Sequence, residues 1–325
     1  MQVTPSKSLV SALFSKNIAD LRARSETVAQ EAVTGKHADL TKHLGGRIGN
    51  AMLAQKAVDD ITAQREQLDL RAARLTIAQR SLGQIHGRVD GIDVRMLSAL
   101  GLGDTAGRNV AARDAAAALE DAFTALNVRH GDRFLFSGEA TATAPFGSPE
   151  ALLSDIRQLA AGAPSAAAFE AAVDTYFNDP AGPWQTAIYR GTPNPADAES
   201  VTATDPALTE LISGLAILAL SGTDENIPVL RNSPAIVEAA AGRITSGRTA
   251  LTALRAEIGI HEERIARSQV ALDTEETVLK GLLETLTGRD QYEAASELKQ
   301  IEAGLEASYL LTTRLSNLTL LNFLR

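Results

Sequence analysis

Four groups of residues have types and spacing that chemistry could use. Gly101-Leu102-Gly103-Asp104-Thr105-Ala106-Gly107 sets three glycines where a phosphate-binding turn would bring backbone N–H groups up to an anion. A dinucleotide fingerprint allows two residues between its later glycines, and this run has three. It also follows a helical repeat, whereas the fingerprint needs a strand before it, so the run reads as a loop. His261-Glu262-Glu263-Arg264 is the first half of a zinc-protease helix, but Ile265 stands where the second histidine ligand belongs. It is expected on the exposed flank of its helix. The five histidines, at 37, 43, 86, 130 and 261, include no pair at metal-ligand spacing on one helix face, and His37 and His43 read as residues of one solvated loop. The carboxylate pairs Asp59-Asp60 and Glu275-Glu276 lie on charged helix faces, where solvation and intrahelical ion pairing account for them. No nucleophile-elbow serine and no P-loop occurs. The expectation is a non-enzyme with no catalytic, cofactor-binding or metal-binding residues and no cofactor.

Composition narrows the class further. The 325 residues are 45% hydrophobic but only 4% aromatic, and alanine and leucine fill the gap, which favours helix packed on helix. A formal net charge of −9 argues against nucleic acid or an anionic membrane surface as partner. There is no cysteine, which removes disulfides, thiolate zinc sites and thiol catalysis and suits a protein exported unfolded. The opening segment has no continuous apolar stretch of the signal-peptide kind, and the richest apolar run, Leu208 to Leu220, is too short to span a membrane.

The elements that must carry any function are long helices. Thr4 and Pro5 signal the start of a first helix over 4–32, with Val10, Phe14, Ile18, Leu21 and Val28 on one stripe. From 48 to 100 an apolar heptad runs through Ile61, Leu68, Leu75, Leu82, Val89 and Met96, predicting one long seamed helix, followed by an alanine-rich helix over 108–130. Arg133-Phe134-Leu135-Phe136-Ser137-Gly138 reads as a short strand-like run ending in a turn. Residues 140–230 then hold nine of the eleven prolines and the single tryptophan, and predict a compact insert of short strands, turns and one or two short helices. Among those helices the clearest begins at Asp205-Pro206. After Ser233-Pro234 a second heptad runs unbroken through Val237, Ile244, Leu251, Ile258, Ile265, Leu272, Leu279 and Leu286, a helix roughly 80 Å long at 1.5 Å per residue. Asp290 and Glu293 predict a capping box for a last helix carrying Leu298, Ile301, Leu305 and Tyr309. In its final sixteen residues eight are leucine or phenylalanine, an apolar end that calls for burial.

The expected fold is mainly α: a long coiled-coil bundle formed by the N- and C-terminal segments, with a smaller α+β or β-rich insert domain. Five regions follow: an N-terminal helix over 1–47, the two halves of a bundle over 48–138 and 232–287, an outer insert over 139–231, and a C-terminal helix over 288–325. The two middle heptads are expected to pack on each other and the two end helices to meet each other, and then to meet further subunits.

Helices from both ends, a variable middle, no cysteine and no cleavable signal resemble the layout of flagellins and flagellin-like axial proteins. Arg133 to Gly138, Asp290-Gln291-Tyr292-Glu293-Ala294-Ala295 with Leu298, Leu305-Glu306-Ala307-Ser308-Tyr309, and Leu320-Leu321-Asn322-Phe323-Leu324 are similar to segments of the hook–filament junction members of that family. Filament-forming members usually close on a run richer in Gln and Asn. The resemblance covers roughly 1–138 and 232–325 and implies a structural subunit of the extracellular bacterial flagellum, exported through the type III apparatus. It implies as partners copies of the chain in a ring, flagellin and other hook-associated subunits, and an export chaperone on the C-terminal helix. The assembly faces expected from it are Val10, Phe14, Ile18 and Leu21 at one end, and Leu305, Tyr309, Leu315, Leu318, Leu321 and Phe323 at the other. An intracellular coiled-coil adaptor is the alternative of a different class.

Overall fold

A computed structural model describes residues 7–193, 199–225 and 227–323, with side chains from Ala12 to Arg314 apart from Asp224. The chain forms two compact units, Met1–Arg65 with Val270–Arg325, and Glu66–Gln269. In chain order the helices are α1 (Lys7–Thr34), α2 (Leu40–Leu44), α3 (Ile48–Val89), α4 (Ile92–Gly101) and α5 (Thr105–Leu126). A two-stranded hairpin of β1 (Arg129–His130) and β2 (Arg133–Phe134) follows. Then come α6 (Pro149–Gly162), α7 (Ala166–Asn178), α8 (Pro206–Leu220), α9 (Pro228–Asn232), α10 (Pro234–Thr287) and α11 (Gln291–Phe323). The mainly α class is what the sequence predicts. Thr4 and Pro5, the expected start of the first helix, lie outside the described residues.

The unit formed by Glu66–Gln269 is built around α8. That helix carries a single charged side chain, Glu210, and nearly all of Ala207 to Leu218 is buried, as a helix with so little polar face requires. Asp205 caps it by accepting from the Ala207 N–H at 2.9 Å, and Pro206 occupies its first turn. Helices α5, α6 and α7 pack on α8. Backbone meets backbone closely at two glycines. A Cβ on Gly214 would stand 2.8 Å from the Ala240 carbonyl, and one on Gly247 would stand 2.8 Å from the Leu211 nitrogen. Within this unit the two heptads are core: Leu75, Leu82, Val89 and Met96, with Val237, Ile244, Leu251, Ile258 and Ile265, are all buried.

Three expectations need correction. The first heptad is not one helix to residue 100: α3 ends at Val89 and α4 restarts at Ile92, with Gly91 at φ +72° between them. Arg248 holds the break, bonding Asp90 at 2.6 Å, and the heptad's Met96 is still fully buried from the new helix. The alanine-rich helix spans Thr105–Leu126 rather than 108–130, because Asp104 caps it early at Gly107 and the hairpin takes Arg129-His130. The insert is more helical than its proline content suggests: Pro149, Pro206 and Pro228 each open a helix, where a missing N–H costs nothing.

The Arg133–Gly138 run supplies only two strand residues and then becomes an anchor for the insert. Phe136 is fully buried, and its carbonyl accepts from the Ala203 N–H at 3.1 Å and the Tyr189 hydroxyl at 3.2 Å. Gly138, at φ +62°, forms a bridge with Thr192, whose carbonyl oxygen lies 1.9 Å from where a Cβ would sit. Phe123, Phe146, Phe177, Trp184 and Tyr189 pack into one aromatic cluster, with Phe123 stacked on Phe146.

Candidate assembly interface

The site expected from sequence lies on α1 and α11, which pack against each other in the unit formed by 1–65 and 270–325. Among the described side chains their seam is small. Val28, Ala294 and Ile301 are buried, and Leu21, Ala32, Leu298 and Leu305 pack against them half-exposed. Both helices start or stop where local chemistry requires. Asp290 accepts from the N–H groups of Tyr292 and Glu293 at 2.8 and 3.0 Å, capping α11. Gly35, at φ +65°, turns the chain out of α1, and there the backbone N–H of Arg289 donates to the Gly35 carbonyl at 2.9 Å while that of His37 donates to Thr287 at 3.0 Å. Lys36 and Gly288 complete this as an antiparallel bridge.

Charged groups flank the seam. Arg289 donates to Glu297 at 2.8 Å and lies 3.7 Å from Glu31, a carboxylate that is itself buried and accepts from the Ala38 N–H at 3.0 Å. Arg24 bonds Glu297 at 2.5 Å, and Arg22 Nε donates to the Tyr309 hydroxyl at 2.8 Å. The expectation of a solvated His37–His43 loop is corrected in part. The two rings stack with centroids 3.7 Å apart, and His37 lies 3.6 Å from Glu31. Elsewhere in this unit Arg65 of α3 bonds Glu276 of α10 at 2.6 Å, and Lys280 bonds the same carboxylate at 2.6 Å. Those two bonds, Lys280 foremost, hold the Glu276 carboxyl below the usual range.

Of the residues expected at the assembly faces, Leu21 and Leu305 meet in the seam. Phe14 and Ile18 are half-buried on α1. Tyr309 is 41% exposed despite its bond from Arg22. The side chains of Val10, Leu315, Leu318, Leu321 and Phe323 lie outside the described residues. Sequence reading missed Arg22, Arg24, Glu31, Arg289 and Glu297, whose signal is charge at helical spacing beside an apolar stripe. Away from the seam the pair leaves large apolar side chains in solvent: Leu13 is 61% exposed, Val33 81%, Leu310 65% and Leu311 50%.

The second unit also corrects an expectation. His261 is not on an exposed flank: it is half-buried, 3.9 Å from Glu199. The glycine run 101–107 spans the end of α4, the short α4–α5 connection and the first turn of α5, with the Asp104 carboxylate on the Gly107 N–H where a phosphate would have had to sit. Among the described residues no helix is long and apolar enough to cross a membrane.

No curated protein and no solved structure matches the chain. Residues 237–324 match the family described as the bacterial flagellin C-terminal helical region, a stretch that starts within α10 and includes the whole of α11. Residues 237–324 are thus flagellin-like.

Proposed function

We propose that the chain is the subunit that joins hook to filament in the bacterial flagellum, assembling with copies of itself in a ring and with flagellin and hook-associated neighbours. The observation that carries the reading is the α1–α11 pair, which joins a flagellin-like helix to the other end of the chain. Its seam uses only part of its apolar surface and leaves Leu13, Leu310 and Leu311 exposed. Exposed apolar side chains on a helix pair mark surfaces for further helices. Val10, Phe14, Ile18 and Leu21, with Leu305, Tyr309, Leu315, Leu318, Leu321 and Phe323, are the proposed contacts. Regions 1–47 and 288–325 are the proposed assembly core, 48–138 with 232–287 the bundle, and 139–231 the outer insert. Before assembly an export chaperone would cover the Leu-rich part of α11, since such a surface aggregates uncovered.

The junction role is favoured by the Ala307-Ser308-Tyr309 segment and the closing Leu320 to Leu324, which resemble junction subunits. A filament subunit is the second reading, favoured by the flagellin match itself. Deleting the gene separates them. A junction subunit leaves hooks in place, loses the filament and releases flagellin into the medium. Retained filaments, or loss of the flagellin itself, would overturn the junction assignment. Recovery of the chain only from cytoplasm, and never from sheared flagella, would point instead to an intracellular adaptor.

A further inference from the structure

In the unit formed by Glu66–Gln269, polar contacts fix an antiparallel register between α3 and α10. Gln269 donates to Asp69 at 2.6 Å, Thr76 to Glu262 at 3.2 Å, and Gln79 to the Arg255 carbonyl at 2.5 Å. That register sets Arg74 opposite Arg264. Arg71 stands one turn before Arg74 on the same flank, and His261 one turn before Arg264. Like charges facing each other across paired helices repel, and the one carboxylate in the cavity beside them, Glu199, offsets only part of that positive charge. A cavity of about 450 Å³ opens at this point, lined by Leu68, Arg71, Arg74, Glu199, His261 and Arg264. A second hollow of about 280 Å³ continues past Arg71, Arg74 and Glu199 to Arg133 and the hairpin.

Among the described residues Glu199 is the acidic side chain common to both hollows, and Glu139 also lines the second; Glu199 is engaged, since Arg71 bonds it through Nε at 3.1 Å and through Nη2, and His261 lies 3.9 Å away. Among the described residues neither Arg74 nor Arg264 forms an ion pair. Each guanidinium is a planar fork shaped for carboxylate or phosphate oxygens. Both side chains are exposed, on helices whose seam residues Leu75 and Ile265 are buried, so their backbones stand on rigid supports. We propose that this cavity binds a compact multivalent oxyanion between Arg74 and Arg264, with Arg71 and His261 at its flank.

The test is calorimetric titration of the full chain with inorganic pyrophosphate and, separately, with citrate, each against sodium chloride at matched ionic strength. Saturable binding of either anion is expected. Arg74→Gln and Arg264→Gln should each weaken it about tenfold, the loss of one charge-assisted fork. Arg80→Gln, an exposed arginine of α3 away from the cavity, should leave it unchanged. Pyrophosphate alone binding assigns a phosphate ligand; citrate binding as well assigns a general polyanion site. No saturable heat from either anion, or equal weakening by Arg80→Gln, overturns the proposal. Circular dichroism of each variant guards against misfolding, and the two independent arginines keep the test alive if one variant fails to fold.

Discussion

Single side chains in the insert carry effects that can be measured one at a time. The Tyr176 hydroxyl donates to Asp155 at 2.7 Å in a buried position. Burial, with Asp155 beside it, pushes that phenol far above its ordinary value, while burial pushes Tyr189 up to about 12. Tyr176→Phe should therefore cost about 1 kcal/mol in urea unfolding, since it removes one hydrogen bond and strands a part-buried carboxylate. Glu199 behaves differently. Its bond to Arg71, aided by the nearby His261 and Arg74 charges, holds its carboxyl below the usual range. A depressed carboxylate adds stability that is complete above the unfolded glutamate value of about 4.3 and is lost as pH falls through the folded value. Glu199→Gln should accordingly lower the urea midpoint at neutral pH, and its gap to the parent should close in acid. A gap that persists unchanged in acid would show that the effect is packing rather than charge.

Between elements the decisive contacts are those where backbone approaches backbone. Gly138 combines a left-handed φ of +62° with a Thr192 carbonyl oxygen 1.9 Å from any Cβ. Gly138→Ala should destabilise by more than about 2 kcal/mol, because strain and overlap add, and the melting temperature should fall several degrees. Gly247 lets α10 lie against α8, with Leu211 2.7 Å from a Cβ built there. Gly247→Ala should cost about 1–3 kcal/mol as an overpacking change, even though alanine is the better helix former. A stabilised variant would mean that the two helices can separate freely. Gly91 sets where one helix becomes two, and the ion pair between Arg248 and Asp90 fixes that break.

Considered whole, the protein divides its burial unevenly. The Glu66–Gln269 unit has a continuous core drawn from nearly every one of its helices, whereas among the described residues the α1–α11 seam buries three side chains. Local opening free energies follow buried contacts. Amide exchange in the free protein should thus be fastest in α1 and α11 and slowest in α8. In the proposed ring, protection should rise in α1 and α11 and stay unchanged in α8. Exchange in α11 as slow as in α8 in a monodisperse monomer would remove the physical basis for the proposed assembly faces.

What the sequence determined by itself is whatever follows from local periodicity. Eight heptad positions without a miss specify α10 almost to the residue, because a seven-residue apolar repeat has no other regular solution. Asp290 ahead of an apolar helix likewise marks the start of α11. Tertiary structure decided what periodicity leaves open. Heptads do not say where a helix pauses, and at Gly91 the pause comes from a positive φ held by a distant arginine. Proline content does not say whether a segment is loop or helix, since the same residue breaks a helix inside and opens one at its first turn. Nor does the chain order reveal that Glu199, from the insert, meets Arg71 and His261 across two helices. That meeting depends on register and side-chain reach over long sequence separations, which only the folded chain supplies.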